Sequence, residues 1–113
     1  MQELEQILKV LADKNRMRII KLLEQRPMCV CELAYVLGIK QPSVSRHLKK
    51  MKACGVIREE QNSYWKDYSL AMNKGGYARS LTRNFKTWLN EDPVVKQDRA
   101  RLRKADRNTL CCR

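Results

Sequence analysis

Two cysteines separated by one residue, Cys29 and Cys31, are the side chains of this sequence best suited to chemistry. They precede an apolar stripe with helical spacing, so they lie at the start of a predicted helix, where unpaired N–H groups and the helix dipole favour thiolate over thiol. On an ideal helix, a separation of two residues is a rotation of ~200°, which places the sulfurs on opposite flanks of the stripe. An ion bound by both sulfurs is therefore expected to distort the first turn of this helix.

The other cysteines are Cys54, Cys111 and Cys112. An odd count without an even framework disfavours structural disulfides, and adjacent cysteines rarely bond to each other because the geometry is strained. The pair near the end of the chain is predicted to donate thiolate ligands, whereas Cys54, beside a predicted helix end, is predicted to fill core space. Because His47 is the single histidine, a metal site has to be built from sulfur, which selects soft ions.

The charge balance points to a polyanionic partner. The chain has 113 residues with 24 Lys and Arg against 12 Asp and Glu, a formal net charge of +12, and its length predicts one domain with one modest core. No apolar run approaches the roughly 20 residues that cross a bilayer, and the acidic N-terminus is unlike a secretory signal. We therefore expect a cytoplasmic protein without a membrane partner. The absence of a catalytic triad spacing, a glycine-rich phosphate loop and a Cys-X-X-Cys pair predicts that it is not an enzyme.

The elements that position these residues follow from the spacing of apolar side chains. A spacing of three to four residues predicts helices, and a spacing of two between 56 and 70 predicts a β-hairpin. The predicted helices cover 2–12, about 15–25, about 29–37, 41–54, about 77–89 and 93–106. We therefore predict a mainly α fold with a β-hairpin, a winged helix-turn-helix, in which residues 1–91 bind DNA and dimerise and residues 92–113 form a basic C-terminal helix and tail.

The fourth predicted helix is expected to lie in the DNA major groove. Val44, Leu48 and Met51 form its inward face, and Arg46 lies almost opposite them. Arg46 can form a bidentate contact with guanine, Gln41 can reach adenine, and the lysines suit phosphates. The predicted DNA-contacting residues, one of them on the hairpin, are Gln41, Ser43, Ser45, Arg46, Lys49, Lys50 and Arg58.

Four segments together resemble the ArsR/SmtB metalloregulatory repressors, and in particular their arsenic-responsive branch. The segments are Leu11-Ala12-Asp13-Lys14-Asn15-Arg16, Cys29-Val30-Cys31-Glu32-Leu33, Gln41-Pro42-Ser43-Val44-Ser45-Arg46-His47-Leu48, and Trp65 to Leu70 in the wing. The resemblance covers about residues 4–90. It implies a homodimer whose first and fifth helices form the interface, and which binds double-stranded operator DNA until As(III) or Sb(III) engages the thiolates.

The sequence departs from this family at two places. Arsenic-responsive members often carry a third cysteine three residues after the second of the pair, where this chain has Ala34. The third sulfur is therefore expected from the chain end, and the predicted metal ligands are Cys29, Cys31, Cys111 and Cys112. Related zinc sensors carry His and carboxylate ligands on the last long helix. Here residues 76–91 contain no His and one acid, Glu91, which argues against that sensing mode.

Three alternatives remain open from the sequence. The four clustered cysteines would suit a tetrahedral thiolate site for Cd(II) or Pb(II). Oxidation of the same cysteines, rather than metal binding, would make a thiol redox switch of the same fold. A basic architectural or RNA-binding protein with incidental cysteines would bind every duplex without sequence preference.

Overall fold

The structure is a computed structural model that describes residues 1–71 and 76–110. Its mainly helical chain with one antiparallel hairpin confirms the predicted winged helix-turn-helix. No helix in these two ranges has the length and apolar character needed to span a bilayer. The elements are α1 (Gln2–Leu11), α2 (Lys14–Leu23), α3 (Val30–Leu37), α4 (Gln41–Ala53), β1 (Ile57–Asn62), β2 (Trp65–Leu70), α5 (Gly76–Phe85), α6 (Pro93–Leu102) and α7 (Arg107–Leu110).

Helices α1 to α4 enclose the core because each turns one apolar stripe inward. Asp13 begins α2 by accepting a hydrogen bond from the backbone N–H of Arg16 at 3.1 Å, as an N-cap residue does. Gly38 ends α3 in the left-handed conformation, with φ of 71°, which glycine adopts without steric cost. The chain therefore turns into α4 within three residues. Fully buried core side chains include Ile19, Ile20, Leu22, Leu33, Val44, Leu48 and Met51.

Strands β1 and β2 form the wing, with Ile57 opposite Leu70 and Asn62 opposite Trp65. One isolated rung joins the wing to the helical body at Met28, whose N–H donates to the Tyr68 carbonyl at 3.0 Å and whose carbonyl accepts from the Tyr68 N–H at 2.8 Å. Met28 immediately precedes Cys29, so the chain entering α3 is hydrogen-bonded to β2.

The ends of the last two predicted helices were wrong. Helix α5 ends at Phe85 rather than near Leu89. Beyond it the backbone hydrogen bonds tighten to an i→i+3 pattern, and the Phe85 carbonyl accepts from both the Trp88 N–H and the buried ammonium of Lys21. Leu89 has a φ of 64°, and Trp88 instead packs edge-on against the Phe85 ring at 5.4 Å. The predicted helix over 93–106 is divided into α6 and the short α7.

Helix α6 packs against α2 and α3. The Asp98 carboxylate accepts two hydrogen bonds of 2.8 Å from Arg18 on α2, and Val95 and Leu102 are buried in the same contact. Burial of these side chains joins residues 93–102 to the helical body. The predicted division of the chain at residue 91 stays a prediction.

Candidate DNA interface and thiol site

The outer face of α4 carries most of the predicted DNA-contacting residues. Gln41, Ser45, Arg46, Lys49 and Lys50 are exposed, whereas the opposite face of the helix is buried. Ser43 is half-buried, and its Oγ accepts a hydrogen bond of 3.1 Å from Arg46 Nη2, which holds that guanidinium along the helix surface. The exposed face of α4 therefore offers one guanidinium, two ammonium groups and short polar side chains to a partner.

His47 takes a structural position rather than a place on this face. Its Nδ1 accepts a hydrogen bond of 3.0 Å from Arg16 Nε on α2, and Arg16 also donates to the Val10 carbonyl at 3.1 Å. Burial is the main reason why the pKa of His47 is lowered, and the nearby cations Arg16, Lys50 and Arg46 lower it further. The neutral imidazole thus joins α4 to α2.

The wing is attached to the far end of α4 by charge. Lys52 pairs with Glu59 on β1. Burial, together with a hydrogen bond to the same Glu59 carboxylate, raises the pKa of Tyr68 to about 12, so the phenol stays protonated at neutral pH. Arg58, the predicted wing contact, is exposed and donates to Ser69 Oγ at 3.2 Å. The wing therefore presents Arg58 at an exposed position on β1.

Cys29 lies just before α3 rather than within it. It is buried and has extended backbone, with φ of −90° and ψ of 170°, and the first helical residue is Val30. The rotation of ~200° worked out for two helical residues therefore does not apply to Cys29 and Cys31. The prediction that the pair stands at the start of the helix is correct, but Cys29 is the N-cap residue.

Glu32 holds this helix start in place. Its Oε1 accepts a 3.1 Å hydrogen bond from the Cys29 N–H, in the spacing of a capping box, and its Oε2 pairs with Arg26 at 2.8 Å. Burial acts to raise the pKa of the Glu32 carboxyl, but the Cys29 N–H and Arg26 outweigh burial, so the pKa is lowered. A buried anion thus fixes the backbone of a candidate ligand.

Cys31 touches the helix predicted to read DNA. Gln41 Nε2 donates a hydrogen bond to Cys31 Sγ at 3.5 Å, and Gln41 is the first residue of α4. The Cys31 side chain is half-buried, which leaves its sulfur partly accessible. A ligand that takes this sulfur would remove a contact at the N-terminal end of α4.

The third predicted sulfur, from Cys111 or Cys112, lies outside the described residues. Helix α7, which ends at Leu110, packs against α3. Within residues 1–71 and 76–110, no cluster of three or more His, Cys, Asp or Glu side chains is placed to hold a metal ion. Cys54 packs against the core as predicted, and burial raises the pKa of its thiol.

Three residues beside the thiol pair were not predicted as site residues from the sequence. Glu32 had a local signal, because a carboxylate three residues after an N-cap position is typical of a capping box. Arg26 and Arg107 had none, because each reaches Glu32 from another part of the chain. The contact between Gln41 and Cys31 likewise joins two separate helices and has no pattern in the sequence.

Comparison with known proteins points to one family. Residues 13–59 match the family model described as bacterial regulatory protein, arsR family. Over 77 residues the chain is 34% identical to an arsenical resistance operon repressor of Escherichia coli (strain K12), a match that covers 67% of this chain and 66% of the repressor. The chain therefore spans slightly less than two-thirds of that relative.

Two further matches agree. The chain is 36% identical over 64 residues to an uncharacterized HTH-type transcriptional regulator of Methanocaldococcus jannaschii, which covers 56% of this chain and 72% of that protein. It is also similar to the solution NMR structure of a homodimeric winged helix-turn-helix DNA-binding domain from Mycobacterium bovis, described as a possible ArsR-family transcriptional regulator. The TM-score is 0.65 at 24% identity, over 75% of this chain and 73% of that one. The similarity to the Mycobacterium bovis structure bears on the fold alone.

Proposed function

Because the chain belongs to the arsR family of bacterial regulatory proteins, we propose that it is a transcriptional repressor that responds to As(III) or Sb(III). In this proposal a homodimer binds double-stranded operator DNA in the cytoplasm and releases it when cysteine thiolates capture the metalloid. The observation that carries the proposal is the hydrogen bond from Gln41 to Cys31. It connects a sulfur that can bind a thiophilic ion to the first residue of the DNA-reading helix. A relative that is an arsenical resistance operon repressor supports the choice of effector.

The α4 surface supports operator binding. Arg46 suits a bidentate contact with guanine, and Gln41 suits a contact with adenine near the helix start. Lys49 and Lys50 suit phosphates on either side, and Arg58 extends the cationic surface onto the wing. The net charge of +12 adds attraction to any duplex through counterion release. Base contacts from α4 then supply the sequence preference.

Exposed apolar side chains on α1 and α5 support the dimer. Leu8 is 47% exposed and Tyr77 is 46% exposed, and the two helices pack against each other. A shallow apolar depression on α1 is lined by Met1, Leu4, Leu8 and Ala12. A second copy of the chain would cover this surface, which water would otherwise contact at a cost of roughly 25 cal/mol per Å².

The release mechanism follows from the two connections of the thiol pair. Capture of Cys31 withdraws its sulfur from Gln41 and so disturbs the start of α4. Capture of Cys29 moves the adjoining backbone at Met28, which is hydrogen-bonded to Tyr68 of the wing. A trivalent metalloid accepts three thiolates, and the residue after Leu110 is Cys111, so we propose that Cys111 or Cys112 completes the site beside α3.

Operator release measured on reduced protein tests the proposal. The probe is a fluorescent duplex selected from a random library by the metal-free protein, and its anisotropy is followed during titration with arsenite. We expect arsenite to release the duplex from the wild type and from Cys54→Ser, the matched control, whereas Cys31→Ser stays bound. If Cys31→Ser releases the duplex at the same arsenite concentration as the wild type, the proposed site is contradicted.

Further arms separate the alternatives. Release by Cd(II) but not by arsenite would assign the site to a soft divalent ion. Release by peroxide without metal, reversed by a reductant, would indicate a redox switch. Selection of no preferred duplex, with affinity that falls steeply in salt for every sequence, would indicate an architectural protein.

A further inference from the structure

The guanidinium of Arg107 on α7 bridges two carboxylates that belong to different parts of the fold. Its Nη2 donates to Glu32 Oε1 on α3 at 3.1 Å and to Asp67 Oδ1 on β2 at 2.6 Å. The same guanidinium lies 4.7 Å from the centre of the Trp65 ring at the start of β2. The Arg107 side chain is 20% exposed, and those of Glu32 and Asp67 are 2% and 13% exposed. The bridge is therefore largely shielded from solvent.

Glu32 connects this bridge to the thiol pair. The oxygen that accepts from Arg107, Oε1, also accepts from the Cys29 N–H. A change in the backbone at Cys29 therefore alters one of the two anions that hold Arg107. The other anion, Asp67, lies on the strand whose Tyr68 pairs with Met28. Cys29 is thus linked to β2 by two routes, one through the backbone and one through Arg107.

We propose that Arg107 is a positioning residue that transmits the state of the thiol pair to the wing, an inference that rests on the proposed function. In the metal-free protein, Arg107 holds β2 against α3 and α7, and the wing stands where it can contact DNA. When a metalloid bound at Cys29 distorts the start of α3, the hydrogen bond from the Cys29 N–H to Glu32 is lost. The Glu32 carboxylate then moves, and Arg107 no longer bridges Glu32 and Asp67. Without this bridge the wing loses its fixed orientation.

Arg101 offers a matched control. It also places its guanidinium over an aromatic ring, at 4.9 Å from the centre of Tyr35, and it also donates hydrogen bonds to α3, at the carbonyls of Tyr35 and Val36. Those contacts lie away from the helix start and from the wing. Arg101→Gln removes the same charge as Arg107→Gln, so the two variants lose the same general attraction to DNA.

The test compares release factors, defined as the ratio of the Kd for the selected duplex with saturating arsenite to the Kd without it. We expect Arg107→Gln to lower the release factor about fivefold, as substitutions along a coupling network do. Asp67→Asn, which leaves the pair between Arg107 and Glu32 intact, is expected to lower it similarly. Arg101→Gln is expected to keep the wild-type value, with a loss of thermal stability similar to that of Arg107→Gln.

Each outcome assigns a cause. A purely structural role would weaken DNA binding equally with and without arsenite, so an unchanged release factor in Arg107→Gln overturns the inference. If Arg107→Gln does not fold, an unchanged release factor in Asp67→Asn overturns it. If arsenite does not release the duplex from the wild-type protein, the proposed function is contradicted and the inference with it. A wild type that releases while both variants match it contradicts the inference alone.

Discussion

Replacement of Glu32 by glutamine is expected to destabilise the start of α3. The carboxylate is buried and accepts from Arg26, Arg107 and the Cys29 N–H. A charge-assisted hydrogen bond exceeds a neutral one by about 1 kcal/mol, and the share of Arg26, whose side chain is 39% exposed, is reduced by solvent. We therefore expect Glu32→Gln to lower the free energy of unfolding by about 2 kcal/mol, or the Tm by about 8 °C.

The pH dependence of this loss follows from the pKa of Glu32. That pKa is lowered in the folded protein from an ordinary value of 4.5. A carboxyl group with a lowered folded-state pKa contributes stability above its unfolded-state pKa, and this stability is lost as the pH falls through the folded-state value. The difference between wild type and Glu32→Gln is therefore expected in full at neutral pH and to shrink below about pH 4.5.

Urea unfolding followed by circular dichroism measures this difference. Titrations at neutral pH and near the acid limit of folding give the free energy of unfolding of both proteins under identical conditions, so that the general acid destabilisation of a basic chain cancels. Glu60→Gln, at an exposed position on β1, is the matched control and is expected to change little. A loss of less than about 0.5 kcal/mol for Glu32→Gln at neutral pH, or a loss that does not change with pH, would refute the role assigned to the Glu32 carboxylate.

Three further predictions concern DNA contact, assembly and packing. Arg46→Gln is expected to lose about 1–3 kcal/mol of binding free energy on the preferred duplex and to bind with less sequence preference, measured by competition anisotropy. Lys49→Gln is expected to weaken binding to all duplexes alike and to lower the dependence of log affinity on log salt concentration by about 1. An equal loss of sequence preference in the two variants would refute the assignment of Arg46 to bases and Lys49 to phosphates. Leu8→Glu is expected to sediment as a monomer under conditions where the wild type is a dimer, because it places a carboxylate on the exposed apolar face of α1; a dimeric variant would contradict that interface. Asp98→Asn removes the carboxylate that pairs with Arg18 and is expected to lower the free energy of unfolding by about 2 kcal/mol, so an unchanged urea midpoint would be inconsistent with a stabilising pair.

The sequence predicted α1 to α4 to within about two residues of their ends because each helix turns a single apolar stripe toward one core. It failed at α5 because its apolar spacing continues past Phe85 to Trp88 and Leu89. The ammonium that binds the Phe85 carbonyl at the end of α5 belongs to Lys21 on α2. A contact between residues so distant in the chain leaves no periodicity to detect.

The thiol site likewise combines local features that the sequence predicts with distant contacts that it does not. Cys29 and Cys31 were predicted at the start of α3 because residue type and local spacing are sufficient to place them. The backbone of Cys29 was not predicted, because an N-cap residue and a first-turn residue differ by one position. Gln41 and Arg107 approach the pair from other helices, and only the packed structure brings them there.

The mounting of the wing has a mechanical consequence. Among the described residues one backbone rung, between Met28 and Tyr68, joins the hairpin to the helical body, whereas six residue pairs join its two strands to each other. When Arg107 no longer holds Asp67, the hairpin can therefore tilt as a stiff unit about that rung. The strand end at Trp65 lies three residues, or about 10 Å, from the rung at Tyr68, so a tilt of about 10° displaces it by about 1.7 Å. A shift of that size takes a hydrogen bond of about 2.9 Å beyond its usual range, so a small movement at the pivot is enough to weaken a contact between the wing and a phosphate.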